Sequence, residues 1–438
     1  MKKLLALYAI TLIFGCKPES KVEKNFDNLK FSENILDYRI TPKHKFDKDG
    51  LMFSDQGSWF AYSFPDSISN TLGFSGPFLM TQQNGVWSSK SLTELNIQAQ
   101  KWNTFKIKAY NSHLEQICSN ENIKATIQLV LLSGHTAMIK TQLTNLSNSD
   151  KEISYHWKNQ SVLADYLLFS SNNNELNITS SKSSAIGHIV FPNKTVLTST
   201  DSTYLTNDQV LKLNPNETKS FVISQSFIFP EYSWEKEQKL IKSVDFDSVL
   251  KARKTEKNNQ LKLLSEKLKS QFQDSVYAKV LAKAHLTLQN NWRIPAGEIS
   301  HEGLFPSYHY VWFNGFWSWD SWKHAVGLSH YDLRLAKEQV KLMFKFQNED
   351  GFVADVVYRD TTIEAHNYRD TKPPLSAWAV YKIYEKDKDL EFVKYMYPKL
   401  KKYHYWWYNN RDHDKDSICE YLSLIHISEP TRLESKSR

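Results

Sequence analysis

Apolar and polar residues alternate with a period of two through the first half of the chain. Ala125, Ile127, Leu129 and Leu131 share one side, Ser133-Gly134-His135 supplies a turn, and Ala137, Ile139, Thr141 and Leu143 resume the alternation. That pattern predicts a hairpin with one buried face. Ile153, Tyr155 and Trp157 repeat the period, as do Phe221, Ile223, Gln225 and Phe227 after the Asn214-Pro215-Asn216 loop. Many short strands over residues 31–230, joined by Ser- and Asn-rich connections, predict a β-sandwich.

The pattern changes at residue 231. Glu and Lys dominate 231–273, glycine is absent, and Leu250, Leu261, Leu264 and Leu268 recur, which predicts one or two linker helices with a solvated, charged face. From residue 274 the period is helical. Asp274-Ser275 can cap a helix with Tyr277, Leu281, Ala284 and Leu288 on one face, and Asp332 another with Ala336, Val340, Met343 and Phe344. Pro373-Pro374 open a third with Leu375, Trp378 and Ile383, since proline is tolerated in a first turn, and Asp389 opens a fourth running through Pro398 toward Trp407. Aromatic and polar motifs lie between these helices, a layout that fits an α-helical toroid better than a bundle with short turns.

At 438 residues the chain can hold two or three domains. Its net charge of +7 is spread along the chain, and without a basic stripe it does not point to nucleic acid. The first sixteen residues read as a targeting segment: Lys2-Lys3, an apolar run from Leu4 to Phe14 too short to span a membrane, then Gly15 and Cys16. Ile13-Phe14-Gly15-Cys16 resembles a bacterial lipobox, which makes Cys16 the lipidation site of an exported, membrane-anchored protein (periplasmic or cell-surface). The alternative is an ordinary signal peptide with an incidental cysteine. Stable anchoring takes more than one acyl chain, and residues 17–30 read as a polar tether. Cys118 and Cys419 have no metal-type spacing, and nothing requires a disulfide.

The densest candidate chemistry is Phe316-Trp317-Ser318-Trp319-Asp320-Ser321-Trp322-Lys323. Indole faces pack against the C–H faces of a pyranose while Asp and Lys fix its hydroxyls, and apolar walls with a few placed polar groups are what ligand sites offer. A Trp-rich core segment with a salt-linked Asp is the competing reading.

This stretch, with Gly303-Leu304-Phe305-Pro306-Ser307, Gly351-Phe352-Val353-Ala354-Asp355, Asn367-Tyr368-Arg369-Asp370-Thr371-Lys372-Pro373 and Met396 through His413, resembles bacterial α-glucosidases of glycoside hydrolase family 63. The resemblance implies an N-terminal β-sandwich followed by the first part of an (α/α)6 barrel at 274–421. It also implies hydrolysis of α-glucosidic bonds in oligosaccharides with inversion, for which an acid and a base carboxylate stand far enough apart to hold a water. Carried over by position, Trp317, Trp319, Asp320 and Trp322 line the glucose subsite, with Asn367, Arg369 and Lys372 as further polar contacts. Lys323 either contacts substrate or only pairs with Asp320. Lys372 stands where trehalases and eukaryotic processing glucosidases carry Gln, which favours the bacterial kind. No cofactor is implied for the chemistry.

Asp412, Asp414 and Asp416 with the Ile418 carbonyl follow the 1, 3, 5, 7 oxygen spacing of a calcium loop, as bacterial members of the family do. Ser417 replaces the usual Gly, and a polar helix-terminal turn is the alternative. The family's acid and base lie beyond Tyr421, so no catalytic residue is assigned. Leu422 to Arg432 reads as the translation of a transposase-library sequencing adapter, so 422–438 is expected to be read-through on a truncated, inactive chain. Two other readings stay open: a trehalase-like or mannosylglycerate-hydrolase-like activity on the same barrel, and a non-catalytic sugar-binding lipoprotein.

Overall fold

The computed structural model describes residues 26–420 apart from 68–70, 81–84, 99, 310–312 and 370–372. Cys16, most of the tether, Lys372 and the segment 422–438 lie outside the described residues.

The alternating segments form antiparallel sheets. Thr136–Asn145 lies between Ile123–Leu131 and Thr218–Ile228 at the centre of an eight-stranded sheet. Leu129 stands opposite Ile139 in the expected hairpin, and Ile139 opposite Ile223. A six-stranded sheet built around Lys151–Lys158 packs against it. Tyr155 stacks on Phe221 across the two layers with ring centroids 4.6 Å apart, and Trp157 meets Phe221 edge-on at 5.2 Å. Ile153, Tyr155, Trp157, Ile223 and Phe227 share this core with Ile127, Leu129, Ile139 and Leu143.

Three capped helices follow: α1 (Trp234–Ser243), α2 (Phe246–Ser265) and α3 (Ser275–Asn291), with Ser233, Asp245 and Asp274 each accepting a first-turn N–H. Their charges are not all solvated as the composition suggests. Lys257 of α2 is buried against Asp55 of the sandwich at 2.7 Å, and Glu237 of α1 accepts hydrogen bonds from Ser133 and Thr136. Burial disfavours the Lys257 ammonium, but the Asp55 and Glu256 carboxylates outweigh it and hold its pKa above the ordinary lysine range.

On α3 the expected apolar face is displaced. Tyr277 and Ala284 are exposed, and the buried positions are Ala282, His285, Leu286, Gln289, Asn290 and Asn291. Polar residues occupy that face because the sandwich supplies their partners. Gln289 donates to the carbonyls of Ser54 and Asn111, Asn290 donates to the Tyr38 hydroxyl, and His285 accepts from Asn111. Leu286 joins the sandwich core.

The second core holds α4 (Ser318–Leu328), α5 (Leu333–Lys345), α6 (Ser376–Asp387) and α7 (Leu390–Arg411). Asp332 caps α5, whose Ala336, Val340, Met343 and Phe344 are buried as the spacing predicts. Asp389 caps α7, which runs through Pro398. Pro373 and Pro374 stand before α6 rather than inside it, and Trp378 is exposed while Ala379, Val380 and Ile383 are buried. α4 packs on α5 and α6, and α6 on α7. The described helices are fewer than a six-hairpin ring requires.

The two halves share a core. Ile40, Met52, Trp59, Phe78 and Phe229 cluster with Phe316, Trp322 and Phe344. Trp59 donates its indole N–H to the Ile294 carbonyl at 2.9 Å, and the Tyr308 hydroxyl donates to the Met52 carbonyl at 3.0 Å.

Candidate functional site

Phe316–Trp317 is a short strand paired antiparallel with Val356–Val357, Phe316 opposite Val357 and Trp317 opposite Val356. The pairing alternates faces, so Phe316 enters the core while Trp317 stays half-buried on the other side, edge-on to Phe313 at 5.7 Å. Ser318 donates its N–H to the Asp355 carbonyl at 2.8 Å, and Asp355 donates its own to Asn367 at 2.8 Å. Asn367 in turn donates to Val356 at 2.9 Å. Three motifs far apart in the sequence thereby become one ribbon.

Helix α4 starts at Ser318, which fixes where each following side chain goes. Ser318, Ser321, Trp322, Ala325 and Leu328 form its buried side. Trp322 is fully enclosed and packs 5.6 Å from Phe344. It therefore presents no indole face to a ligand, which corrects its assignment to the subsite wall. Trp319 and Lys323, one turn apart, share the outer side, with the Lys323 ammonium 3.5 Å from the Trp319 ring centroid. That contact accounts for Lys323 as a cover on one indole face. Asp320 sits half-buried in the first turn, where the helix N-terminus favours a carboxylate.

The start of α4 is held from below by Gln339 of α5. Its amide donates to Ser321 Oγ at 2.9 Å and accepts from the Leu304 N–H at 2.5 Å. Beside it, burial pushes the His324 imidazole down to about 4, with the Lys323 charge opposing protonation as well, so this ring is neutral at pH 7.

Asn367 reaches the site through the ribbon, and its side-chain oxygen accepts from the Arg369 N–H at 2.8 Å. The Arg369 side chain is exposed. Gln339 and Asp355 are the residues that sequence reasoning left without a role. Gln339 offered no signal beyond its helix. Asp355 closes the Gly351–Asp355 motif and is almost fully buried. Its charge is a minor contributor to the raised pKa of Tyr403 and Tyr358, burial being the first cause in each.

At the end of α7, one carboxylate oxygen each from Asp412, Asp414 and Asp416 lies within 4.8 Å of the others. Ser417 adopts φ +68°, the left-handed conformation that glycine provides in such loops, and its N–H donates to Asp412 at 3.2 Å. Asp412 Oδ1 is buried without a hydrogen-bond partner among the described residues. This donor set of hard oxygens around a buried carboxylate oxygen fits calcium. The Asp412, Asp414 and Asp416 carboxylates with the Ile418 carbonyl would hold it.

Residues 314–424 match the family model of the mannosylglycerate hydrolase MGH1-like glycoside hydrolase domain, and residues 33–181 match that of the glucosidase YgjK N-terminal domain. The chain is glycoside-hydrolase-like. Mannosylglycerate hydrolase of Thermus thermophilus is 30% identical over 150 residues, which is 30% of this chain and 34% of that protein. Mannosylglycerate hydrolase MGH1 of Selaginella moellendorffii is 28% identical over 156 residues, 32% of this chain and 29% of that one. A putative kojibiose phosphorylase from the human microbiome shares the fold with a TM-score of 0.52 at 12% identity, over 84% of this chain and 56% of that structure. The chain thus spans about a third or less of the curated hydrolases it matches, and just over half of that phosphorylase.

Proposed function

We propose that these residues are the sugar-binding part of an exported, lipid-anchored, inverting α-glucosidase of the family 63 kind. The observation that carries the reading is the placement of half-buried Trp317 and Trp319 beside Asp320 at the start of α4, with Asn367 delivered by the Asp355 ladder. One glucose ring stacks on the indole faces while Asp320 accepts hydrogen bonds from its hydroxyls, and Asn367, Arg369 and Lys372 add polar contacts. No acid or base carboxylate is assigned among the described residues. Cys16 carries the lipid, and calcium in the Asp412–Ile418 loop stiffens the end of α7.

A second reading is favoured by the MGH1-like match over 314–424. Hydrolysis of an α-glycoside whose leaving group is anionic would use the exposed Arg369 guanidinium, which suits a carboxylate. The deciding experiment follows hydrolysis by the intact protein of α-glucosides and of mannosylglycerate by anomer-resolved NMR. Release of β-glucose as the first anomer supports the glucosidase. Release of glycerate with α-glucosides untouched supports the second reading, and α-glucose appearing first overturns inversion.

A further inference from the structure

The ribbon that carries the Trp site is three strands wide. Val356 pairs antiparallel with Trp317 on one side and with Asn367 on the other, so the three residues stand abreast and turn their side chains to one face. Gly315 and Tyr358, each two residues from this row, extend the same face by about 7 Å. A Cβ at Gly315 would lie 2.6 Å from Val356 Cγ2 and 2.5 Å from Tyr358 Cε1, so glycine is what lets the phenol ring lie across the ribbon.

Tyr358 ends on a carboxylate. Its hydroxyl donates to Glu364; burial first, and then this bond, raise the phenol pKa, so the proton stays on Tyr358. Glu364 itself is exposed. Its N–H donates to the Asp360 carbonyl at 3.3 Å, within a loop that the Tyr358 N–H closes onto His366 Nδ1 at 3.1 Å. The carboxylate is therefore both accessible and held from two sides. Phe313 adds an accessible apolar wall: it is 40% exposed and meets Trp317 edge-on at 5.7 Å. An open aromatic ring with a fixed carboxylate repeats, one step along the ribbon, the pairing of Trp319 with Asp320. Asp355 also faces Tyr358, so negative charge gathers at this end of the site. Such a place accepts hydroxyl groups and repels anions.

We propose that Glu364 and Phe313 form a second subsite, beside the Trp317 wall, that takes a second, neutral sugar ring of the same ligand and disfavours an anionic unit there. Tyr358 is the positioning residue for Glu364. The inference rests on the reading of the Trp site as a glucose site.

Tryptophan fluorescence titration of the full chain tests it, with methyl α-glucoside compared against maltose, nigerose, kojibiose and isomaltose. At least one disaccharide is expected to bind more tightly than the methyl glycoside. In Glu364→Ala the ratio of the two affinities is expected to fall about tenfold, the equivalent of one hydrogen bond to a charged acceptor. Tyr358→Phe, which frees the carboxylate, should move the ratio the same way by less. The ratio is taken within one variant, so a loss of folded protein cancels from it. With α-glucosylglycerate the sign reverses: Glu364→Gln removes the repelling charge and should raise the affinity. Failure of the wild-type chain to bind methyl α-glucoside overturns the Trp-site reading and this inference with it. If the methyl glycoside binds, the inference alone is overturned by the absence of any tighter disaccharide, by a ratio that Glu364→Ala leaves unmoved, or by an α-glucosylglycerate affinity that Glu364→Gln leaves unchanged.

Discussion

The backbone N–H of Ser318 donates to the carbonyl of Asp355 at 2.8 Å, and this bond fixes the first residue of α4 against the ribbon that carries Asn367. Because α4 begins there, Trp319 and Asp320 leave the helix on the accessible side while Trp322 points into the core. The three tryptophans of one motif therefore have separable duties. Trp322→Ala is expected to cost about 3–5 kcal/mol of stability through the cavity it leaves. Trp319→Ala should weaken glycoside binding with little change in unfolding. Denaturant unfolding and glycoside titration of both variants check this; equal stability losses would refute the division.

The docking of α2 on the sandwich depends on Lys257 and Asp55, both almost wholly buried. Lys257→Met is expected to cost about 3–5 kcal/mol, because the Asp55 carboxylate is then buried without its partner. The double variant Lys257→Met, Asp55→Asn should recover much of that loss. Thermal unfolding of the single and double variants reads the coupling, and additive losses would deny it.

Acid should loosen the contacts around α4. His324 has a folded pKa of about 4 against an ordinary 6.5, so the unfolded chain binds a proton that the folded chain refuses. Its contribution is complete above pH 6.5 and is lost as pH falls from there toward 4. Burial holds His113 and His285 well below the usual imidazole range too, and they act in the same direction. The unfolding temperature should drop over that interval, and His324→Asn should flatten part of the drop. An unchanged slope would count against the neutral, buried imidazole.

How much of this was legible in the sequence depends on what the residues spend their polarity on. The Ile123–Leu131 and Thr136–Asn145 hairpin and the face of α5 were readable because apolar residues there recur at the element's own period. The face of α3 was not, because His285, Gln289 and Asn290 are buried through hydrogen bonds to sandwich residues far away in sequence. Trp322 misled for a related reason. A cluster of tryptophans does not reveal which one is inside until the helix start is known, and a hydrogen bond from Ser318 to a residue of another motif sets that start. Lys257 looked like one more solvated charge until Asp55 was seen across from it.

The acidic loop makes its own prediction. Calcium should raise the unfolding temperature, and a chelator or Asp412→Ala should remove the gain. Ser417 holds φ +68°, which costs a non-glycine residue about 1–2 kcal/mol. Ser417→Gly should therefore tighten calcium binding. Calorimetric titration of the two proteins gives the answer, and weaker binding by the glycine variant would contradict a calcium-loop geometry.

The central proposal is that this chain holds an α-glucoside through Trp319 and Asp320. Tryptophan fluorescence titration with a neutral α-glucoside tests it most directly. The account predicts a saturable change that Asp320→Asn abolishes. A binding curve that Asp320→Asn and Trp319→Ala leave unmoved would contradict it.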